Sequence, residues 1–264
     1  MTRKGTVLCA PSSLETDLRS KESIIECLKT FNPSVVVNLA GVSFVNTSNL
    51  RLLYDINSFG QLNVLEALSD NGFDGKLIFA GSGNIYGNNT MKSIPENQSP
   101  TPVNHYSFSK VLAENFCSLY KEAFTIIITR PFSCIGVGQA PHFLVPKIVS
   151  HFRDSAAVIQ LGNIEVERDF IDIRDIVSMY EILIYHDTSY DVIHFSNDET
   201  HSIREILQTM KIVSGHNIEV NTDPALVRPN DLLYQRGSNQ RIKSLGYVRR
   251  HSLEDTLTWM YSYS

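Results

Sequence analysis

Strand-sized apolar runs alternate with amphipathic stretches of helical length through the first half of this chain, and that alternation restricts its fold more than any other feature. Residues 20–31 place Ile24, Ile25, Leu28 and Phe31 on one stripe behind Ser20, which predicts an N-capped helix that Pro33 ends. Val35-Val36-Val37-Asn38-Leu39-Ala40 follows as a continuous apolar run, suited to a strand buried on both faces. The pattern then predicts a helix over 50–69, a strand over 76–80, a polar loop over 82–102, a helix over 106–122 and a strand over 125–129. Such strand–helix–strand order predicts an α/β fold with a doubly wound, mostly parallel sheet. Past Pro131 the rhythm loosens. Helices are predicted near 145–152, 174–185, 203–213 and 253–261, with extended segments near 158–161 and 192–195, so this part reads as a smaller lobe built onto the sheet.

At 42% hydrophobic and 19% charged, the 264 residues can bury a sizeable core, which excludes a disordered tail, a collagen or a coiled coil. No apolar run approaches the roughly 18 residues of a membrane span. The opening residues lead into no signal-peptide core, so a cytoplasmic protein without a membrane partner is expected. A net charge of −5, with no basic cluster beyond Arg249 and Arg250, argues against nucleic acid. Cys9, Cys27, Cys117 and Cys134 form no C-x-x-C pair, so reduced, mostly buried thiols are expected. The eight histidines supply no metal-ligand spacing, and no metal is expected.

The sharpest chemical signal is Tyr106-Ser-Phe-Ser-Lys110. On a helix these two residues share a face, and an ammonium beside a phenol favours phenolate and makes proton transfer feasible near neutrality. By spacing alone the pair is more often a surface tyrosine and lysine one turn apart. Context strengthens it: the apolar run Leu77-Ile78-Phe79-Ala80 ends in Gly81-Ser82-Gly83-Asn84-Ile85-Tyr86-Gly87. Ligands of a doubly wound sheet bind beyond the carboxyl ends of its strands, where Ser82 would present its hydroxyl to Tyr106 and Lys110. A hydroxyl on a substrate oxygen, a tyrosine moving a proton and a lysine tuning it suit carbonyl/alcohol chemistry. The glycines of this loop do not form a dinucleotide turn, because their spacing is G-x-G-x-x-x-G and a loop follows.

With these residues in view, the sequence resembles the extended short-chain dehydrogenases/reductases that act on nucleotide sugars, over nearly its whole length from about Asp17. Val36-Val37-Asn38-Leu39-Ala40-Gly41 is similar to the family's fourth strand, and Asn57-Ser-Phe-Gly60-Gln-Leu-Asn63-Val-Leu-Glu-Ala67 to its N-x-x-G-x-x-N-[VL]-L-E-A helix. Ser82, Tyr106 and Lys110 fall on its Ser/Thr-Tyr-Lys triad, and Arg130-Pro131-Phe132-Ser133…Gly138-Gln139 on its R-P-F-N-x-x-G-P-G-Q. Leu161-Gly162…Arg168-Asp169-Phe170…Asp175 and Arg228-Pro229-Asn230-Asp231 resemble the GDP-mannose branch, GDP-4-keto-6-deoxy-mannose reductase above all.

The resemblance implies a Rossmann-like sheet with residues 1–140 (and part of 170–195) as the dinucleotide-binding domain and 141–264 mainly as a nucleotide-sugar lobe. Ser82, Tyr106 and Lys110 would be catalytic. Asp17, Leu18, Leu39, Ala40, Gly41, Asn57, Tyr106, Lys110, Pro131 and Phe132 would line a site for NAD or NADP. Ser82, Ser133, Arg168 and Arg228 would hold a GDP-linked sugar, the guanidinium forks gripping its phosphates. Without the resemblance, Arg168 reads as a surface arginine paired with Asp169 or Asp172. Helices 50–69 and 106–122 would build a homodimer interface.

Three departures narrow the reading. The family's dehydratases carry an acid just before the Tyr-Gly matched by Tyr86-Gly87, where this chain has Gly83 and Asn84; reduction or 4-epimerisation needs no such acid. Ser133 replaces the usual substrate-contacting asparagine and loses an amide's paired donor and acceptor. Only Gly5 precedes Gly41, so the family's first βαβ unit and its G-x-x-G-x-x-G turn are missing. An apolar edge at residues 35–39 would then need a cover, and Thr6-Val7-Leu8-Cys9-Ala10 is expected to pair beside it. Two functions follow: an NAD(P)-dependent reductase or 4-epimerase, with a weakened cofactor grip or as a shortened version of a longer chain, and a non-catalytic relative that binds a nucleotide sugar or a protein.

Overall fold

The computed structural model describes residues 6–43, 48–89, 91–227 and 232–263. The chain forms two compact units, one of Met1–Gly81 with Asn104–Ile128 and one of Ser82–Val103 with Thr129–Ser264.

In the first unit α1 (Lys21–Phe31) starts where Ser20 accepts a hydrogen bond from the Ser23 backbone and ends at Asn32, which adopts the left-handed conformation (φ 40°). Its buried residues are Ile24 and Leu28, and β1 (Val35–Asn38) follows it. The single helix expected over 50–69 is divided into α2 (Leu50–Tyr54), one π-helical turn at Asp55–Phe59, and α3 (Gly60–Asp70). Next come β2 (Lys76–Ala80), α4 (His105–Ser118) and β3 (Thr125–Pro131). β1 pairs in parallel with β2, from Val35 opposite Lys76 to Asn38 opposite Phe79, and β3 lies on the other side of β2. Leu77, Ile78 and Phe79 of that central strand are fully buried.

Residues 6–10 do not extend this sheet. They are irregular, with Val7 91% and Leu8 74% exposed, and β1 has β2 as its hydrogen-bonded neighbour among the described residues. Local chemistry outweighs the apolar run here. Pro11 has no N–H to give a ladder, and the chain then folds into a turn in which Glu15 and Thr16 donate to the Ser12 carbonyl. As an edge strand, β1 is half-buried at Val35, Val36 and Val37 instead of buried on both faces, and it stops at Asn38, leaving Leu39 60% exposed. The cysteines are unpaired, and Cys117 is buried while Cys9, Cys27 and Cys134 are half-buried. The thiols are therefore more accessible than their sequence suggests.

In the second unit the order is β4 (Ser133–Ile135), α5 (Leu144–Arg153), β5 (Val158–Leu161), β6 (Glu167–Arg168), β7 (Phe170–Asp172), α6 (Ile173–Tyr185), β8 (Val192–Phe195), β9 (His201–Ser202), α7 (Ile203–Ser214), β10 (Glu219–Thr222), β11 (Tyr234–Gln235), α8 (Gln240–Ser244) and α9 (Leu253–Ser262). Parallel pairs join β4 to β7, β5 to β10 and β6 to β11, while β6 runs antiparallel to β9. β8 neighbours β3, and the Phe132 amide donates to the Phe195 carbonyl. α5, α7 and α9 pack together over Ile148, Phe152, Ile159, Ile206, Met210 and Leu257, which form the core of this lobe. Among the described residues no helix is long and apolar enough to cross a membrane.

Candidate active site

The first unit gathers its chemical groups at the carboxyl ends of β1 and β2. A capping box between Asn104 and Ser107 starts α4 at His105, so Tyr106 lies in the first turn and Lys110 one turn later on the same face. Both side chains are buried, Tyr106 at 8% and Lys110 at 5% exposure. Lys110 Nζ donates to the carbonyl of Ala80, the last residue of β2, at 2.8 Å, and lies 5.2 Å from the centre of the Phe79 ring. Burial pushes the lysine down to about 8, against the opposing charge of Glu114. It still carries a proton at neutral pH, and a cation on this helix face favours ionisation of a neighbouring phenol.

The π turn supplies the next group. Asn57 Oδ1 accepts from the Val42 amide at 2.8 Å, and its Nδ2 donates to the Val42 carbonyl and to Ser109 Oγ, each at 3.1 Å. Ser109 Oγ in turn donates to the Tyr106 carbonyl. One carboxamide thus ties the loop after β1 to the turn of α4 that carries Tyr106. Just before that loop, Asn38 donates to Gln61 Oε1 at 2.7 Å and accepts from the Ala40 amide, so a buried polar pair sets the direction in which Leu39, Ala40 and Gly41 leave the strand. At Gly41 a Cβ would stand 3.1 Å from Asn57 Oδ1 and 3.4 Å from Lys110 Nζ. Of the expected cofactor-lining residues, Gly41, Asn57 and Lys110 therefore come close together, and Leu39 and Ala40 precede Gly41 in the same exposed loop. Leu18 packs close to Gly60 and accepts from Asn63 Nδ2 through its carbonyl, whereas Asp17 is held by Arg19, whose guanidinium keeps its carboxyl low.

The second unit begins with Ser82, the second residue after the carbonyl that Lys110 holds. It is 5% exposed and caps a 3-10 turn, Gly83–Tyr86, by accepting from the Asn84 amide at 3.2 Å. Phe132 lies against the backbone of this turn: a Cβ on Gly83 would approach its ring to 2.9 Å, and one on Gly237 would overlap it. Phe132 is thereby placed beside the Ser82 loop within this unit, and Pro131 is the last residue of β3. Ser133 opens β4 opposite Phe170, its amide on the Asp169 carbonyl. Arg168 is half-buried in β6, opposite Gln235 and His201. Asp172 pairs with Arg174, and Asp169 accepts from Ser196, Asn197 and Asp198. Arg228 lies outside the described residues.

Sequence reasoning gave no role to a buried cluster in this unit. Arg130 Nη1 donates to the Tyr86 hydroxyl at 2.5 Å, and that hydroxyl shares a hydrogen bond with His194 Nε2 at 2.6 Å. Phe132 stacks on Tyr86 and meets His194 edge-on, so the cluster fixes the ring beside Gly83. Burial, then the Arg130 charge, pushes His194 down to about 3, and its imidazole is neutral. The sequence signal was Arg130-Pro131-Phe132 itself, in which Arg130 is the charged residue of an apolar strand.

Comparison with known proteins identifies the family. Residues 10–260 match the family described as GDP-mannose 4,6 dehydratase. The chain is 32% identical over 228 residues to GDP-6-deoxy-D-talose 4-dehydrogenase of Aggregatibacter actinomycetemcomitans, covering 86% of this chain and 77% of that one. It is 30% identical over 221 residues to GDP-6-deoxy-D-mannose reductase of Pseudomonas aeruginosa, covering 80% and 73%. Its structure superposes with a TM-score of 0.87 and 28% identity on that of RMD from Pseudomonas aeruginosa complexed with NADPH, over 97% of this chain and 87% of that one. Strand order, the Tyr106–Lys110 helix face and these matches lead to one assignment: the chain belongs to the GDP-mannose 4,6 dehydratase family of extended short-chain dehydrogenases/reductases, with its Rossmann-like α/β fold.

Proposed function

We propose that this protein is an NAD(P)-dependent oxidoreductase of a GDP-linked sugar, reducing a GDP-4-keto-6-deoxy-hexose at C4 or epimerising it there through the ketone. The observation that carries the reading is the convergence of Lys110, Asn57 and Gly41 at the carboxyl ends of β1 and β2, on the helix that presents Tyr106. The residues present fit the nicotinamide–ribose end of a dinucleotide. The loop of Leu39, Ala40 and Gly41 is exposed, a side chain at Gly41 would crowd the site, and Lys110 offers an ammonium to ribose hydroxyls. Asp17 and Leu18, near α3, would serve the adenine end, with Pro131 and Phe132 on the nicotinamide side. When bound, NAD(P)(H) supplies or accepts the hydride.

The chain's own residues handle the proton. Tyr106 gives its phenolic proton to the sugar oxygen in reduction and takes one in oxidation, and the Lys110 charge stabilises the phenolate. Ser82 donates a hydrogen bond to the same sugar oxygen. Ser133, Arg168 and Arg228 hold the nucleotide sugar, the two arginines on its phosphates. Elimination of water is not part of this reading, because Gly83 and Asn84 offer no acid before Tyr86. A non-catalytic role has less support, since both relatives are named for oxidoreductase activities.

The protein is further read as a cytoplasmic homodimer. Phe59 and Phe108, 46% and 51% exposed on the π turn and α4, support an interface on these helices. The functional reading is tested by NADPH-dependent reduction of GDP-4-keto-6-deoxymannose, with Tyr106→Phe as the control. Turnover by the parent and its loss in the variant are expected; a well-folded parent inert toward GDP-4-keto sugars with either cofactor would overturn it.

A further inference from the structure

Gln235 is 3% exposed, and a carboxamide taken out of water needs hydrogen-bond partners. Its Nε2 donates to the Gly83 carbonyl at 3.1 Å. That carbonyl belongs to the first residue of the 3-10 turn that Ser82 caps. The strand that carries Gln235 is fixed along both edges. On one edge β11 pairs with β6, Gln235 opposite Arg168; the Glu167 amide donates to the Leu233 carbonyl at 2.9 Å and the Asp169 amide to the Gln235 carbonyl at 3.0 Å. On the other, the Ile94 amide donates to the Arg236 carbonyl at 2.9 Å and the Ser238 amide to the Ile94 carbonyl at 2.8 Å. The Tyr234 hydroxyl adds a bond to the Lys92 carbonyl. Residues of an extended chain alternate sides, so Gln235 and Gly237 share one. The Phe132 ring that lies against Gly83 lies against Gly237 as well. The Gly83 peptide is thus held by a ring and a carboxamide together.

We propose that Gln235 is a positioning residue for Ser82: its carboxamide fixes the Gly83 carbonyl and thereby the direction of the Ser82 hydroxyl. This rests on the functional reading above, in which that hydroxyl donates to the sugar oxygen. Ser82 Oγ also accepts from the Asn84 amide at 3.2 Å, and Gly83 stands between the two residues. Rotation of the Gly83 peptide would therefore carry the amide and the hydroxyl together. A donor helps only where it meets the oxygen whose charge changes, and a misplacement of about 1 Å can cost about 10²-fold in rate. Gln235 acts through Ser82 and touches neither sugar nor dinucleotide. Because its strand also pairs with Arg168, one element ties the turn of Ser82 to a residue proposed to grip the sugar's phosphates.

The test measures reduction of GDP-4-keto-6-deoxymannose by the full-length parent, Gln235→Met, Ser82→Ala and the double variant, each checked by circular dichroism. Gln235→Met keeps the length of the side chain and loses the donor. Its kcat should fall about tenfold with KM for the GDP-sugar within about twofold, and in the Ser82→Ala background the same change should cost less than about twofold. Gln235→Glu offers a donor only when its carboxyl is protonated, so its kcat relative to the parent should rise as pH falls from 8 to 5. By hydrogen exchange, the amides of residues 83–87 should exchange about tenfold faster in Gln235→Met, with those of α5, α7 and α9 unchanged. Equal losses in both Ser82 backgrounds, a Gln235→Met kcat within about twofold of the parent, or unchanged exchange at residues 83–87 overturns the proposal. If Gln235→Met does not fold, the Gln235→Glu profile decides, and a ratio flat with pH overturns it. An inert parent sinks the functional reading instead, and exchange at residues 83–87 then decides alone whether Gln235 holds the turn.

Discussion

Two buried titratable side chains set the chemistry at the residue scale. Lys110 is charged but poorly solvated, and its value near 8 makes its ammonium responsive to whatever lies on the Tyr106 face of α4. Tyr106→Phe should lower kcat by about 10²–10⁴-fold with an unchanged circular dichroism spectrum, the range expected when a positioned proton donor is removed. A loss below threefold would take Tyr106 out of the proton path. His194 predicts a pH effect on stability. Folded, it resists protonation until about pH 3, whereas the unfolded chain takes up the proton below about 6.5. Its contribution is therefore complete above pH 6.5 and is lost as pH falls toward 3, by at most about 1.4 kcal/mol per pH unit. Asp169, raised to about 7 by burial, has the opposite sign: its contribution is complete below about pH 4 and is lost as pH rises through 7. Melting curves of the parent and His194→Asn at pH 7 and pH 5 separate the two, because Asp169 is common to both. The parent should lose more stability than the variant over that interval, and equal losses would contradict the assignment.

The elements show where a sequence pattern stops being informative. The amphipathic stretch over 50–69 reads as one helix because α and π turns share nearly the same apolar spacing. What inserts the π turn at Asp55–Phe59 is tertiary: Asn57 reaches Val42, and Ser58 Oγ donates to the Ser109 carbonyl at 2.8 Å. Asn57→Ala leaves both backbone groups of Val42 without that partner and should destabilise the protein by about 1–3 kcal/mol, while weakening dinucleotide binding more than GDP binding. Denaturant unfolding with parallel ligand titrations measures this; equal weakening of both ligands would assign Asn57 to general folding alone. The edge of β1 teaches the converse. That residues 35–38 form a strand was legible from composition, but its neighbour was not, because pairing of residues 6–10 depended on Pro11 and the Ser12 turn and not on their apolarity.

For the whole molecule, the alternation of runs correctly foretold an α/β fold with a parallel sheet, in which β1 and β2 pair in parallel, and the helix that carries Tyr106 and Lys110. The cluster of Arg130, Tyr86 and His194 was not legible, since its members are 44 and 108 residues apart and each alone resembles an ordinary core or loop residue. Size-exclusion chromatography with light scattering should find a dimer, and Phe108→Glu should shift it to monomer; a monomeric parent would remove these helices as an interface. The central claim, that this chain works with a dinucleotide at the carboxyl ends of β1 and β2, is tested most directly by titrating the purified protein with NADPH and NADH by calorimetry. Micromolar binding of one or both is predicted, weakened by Asn57→Ala. A folded protein that binds GDP but neither dinucleotide up to millimolar concentration would contradict the claim.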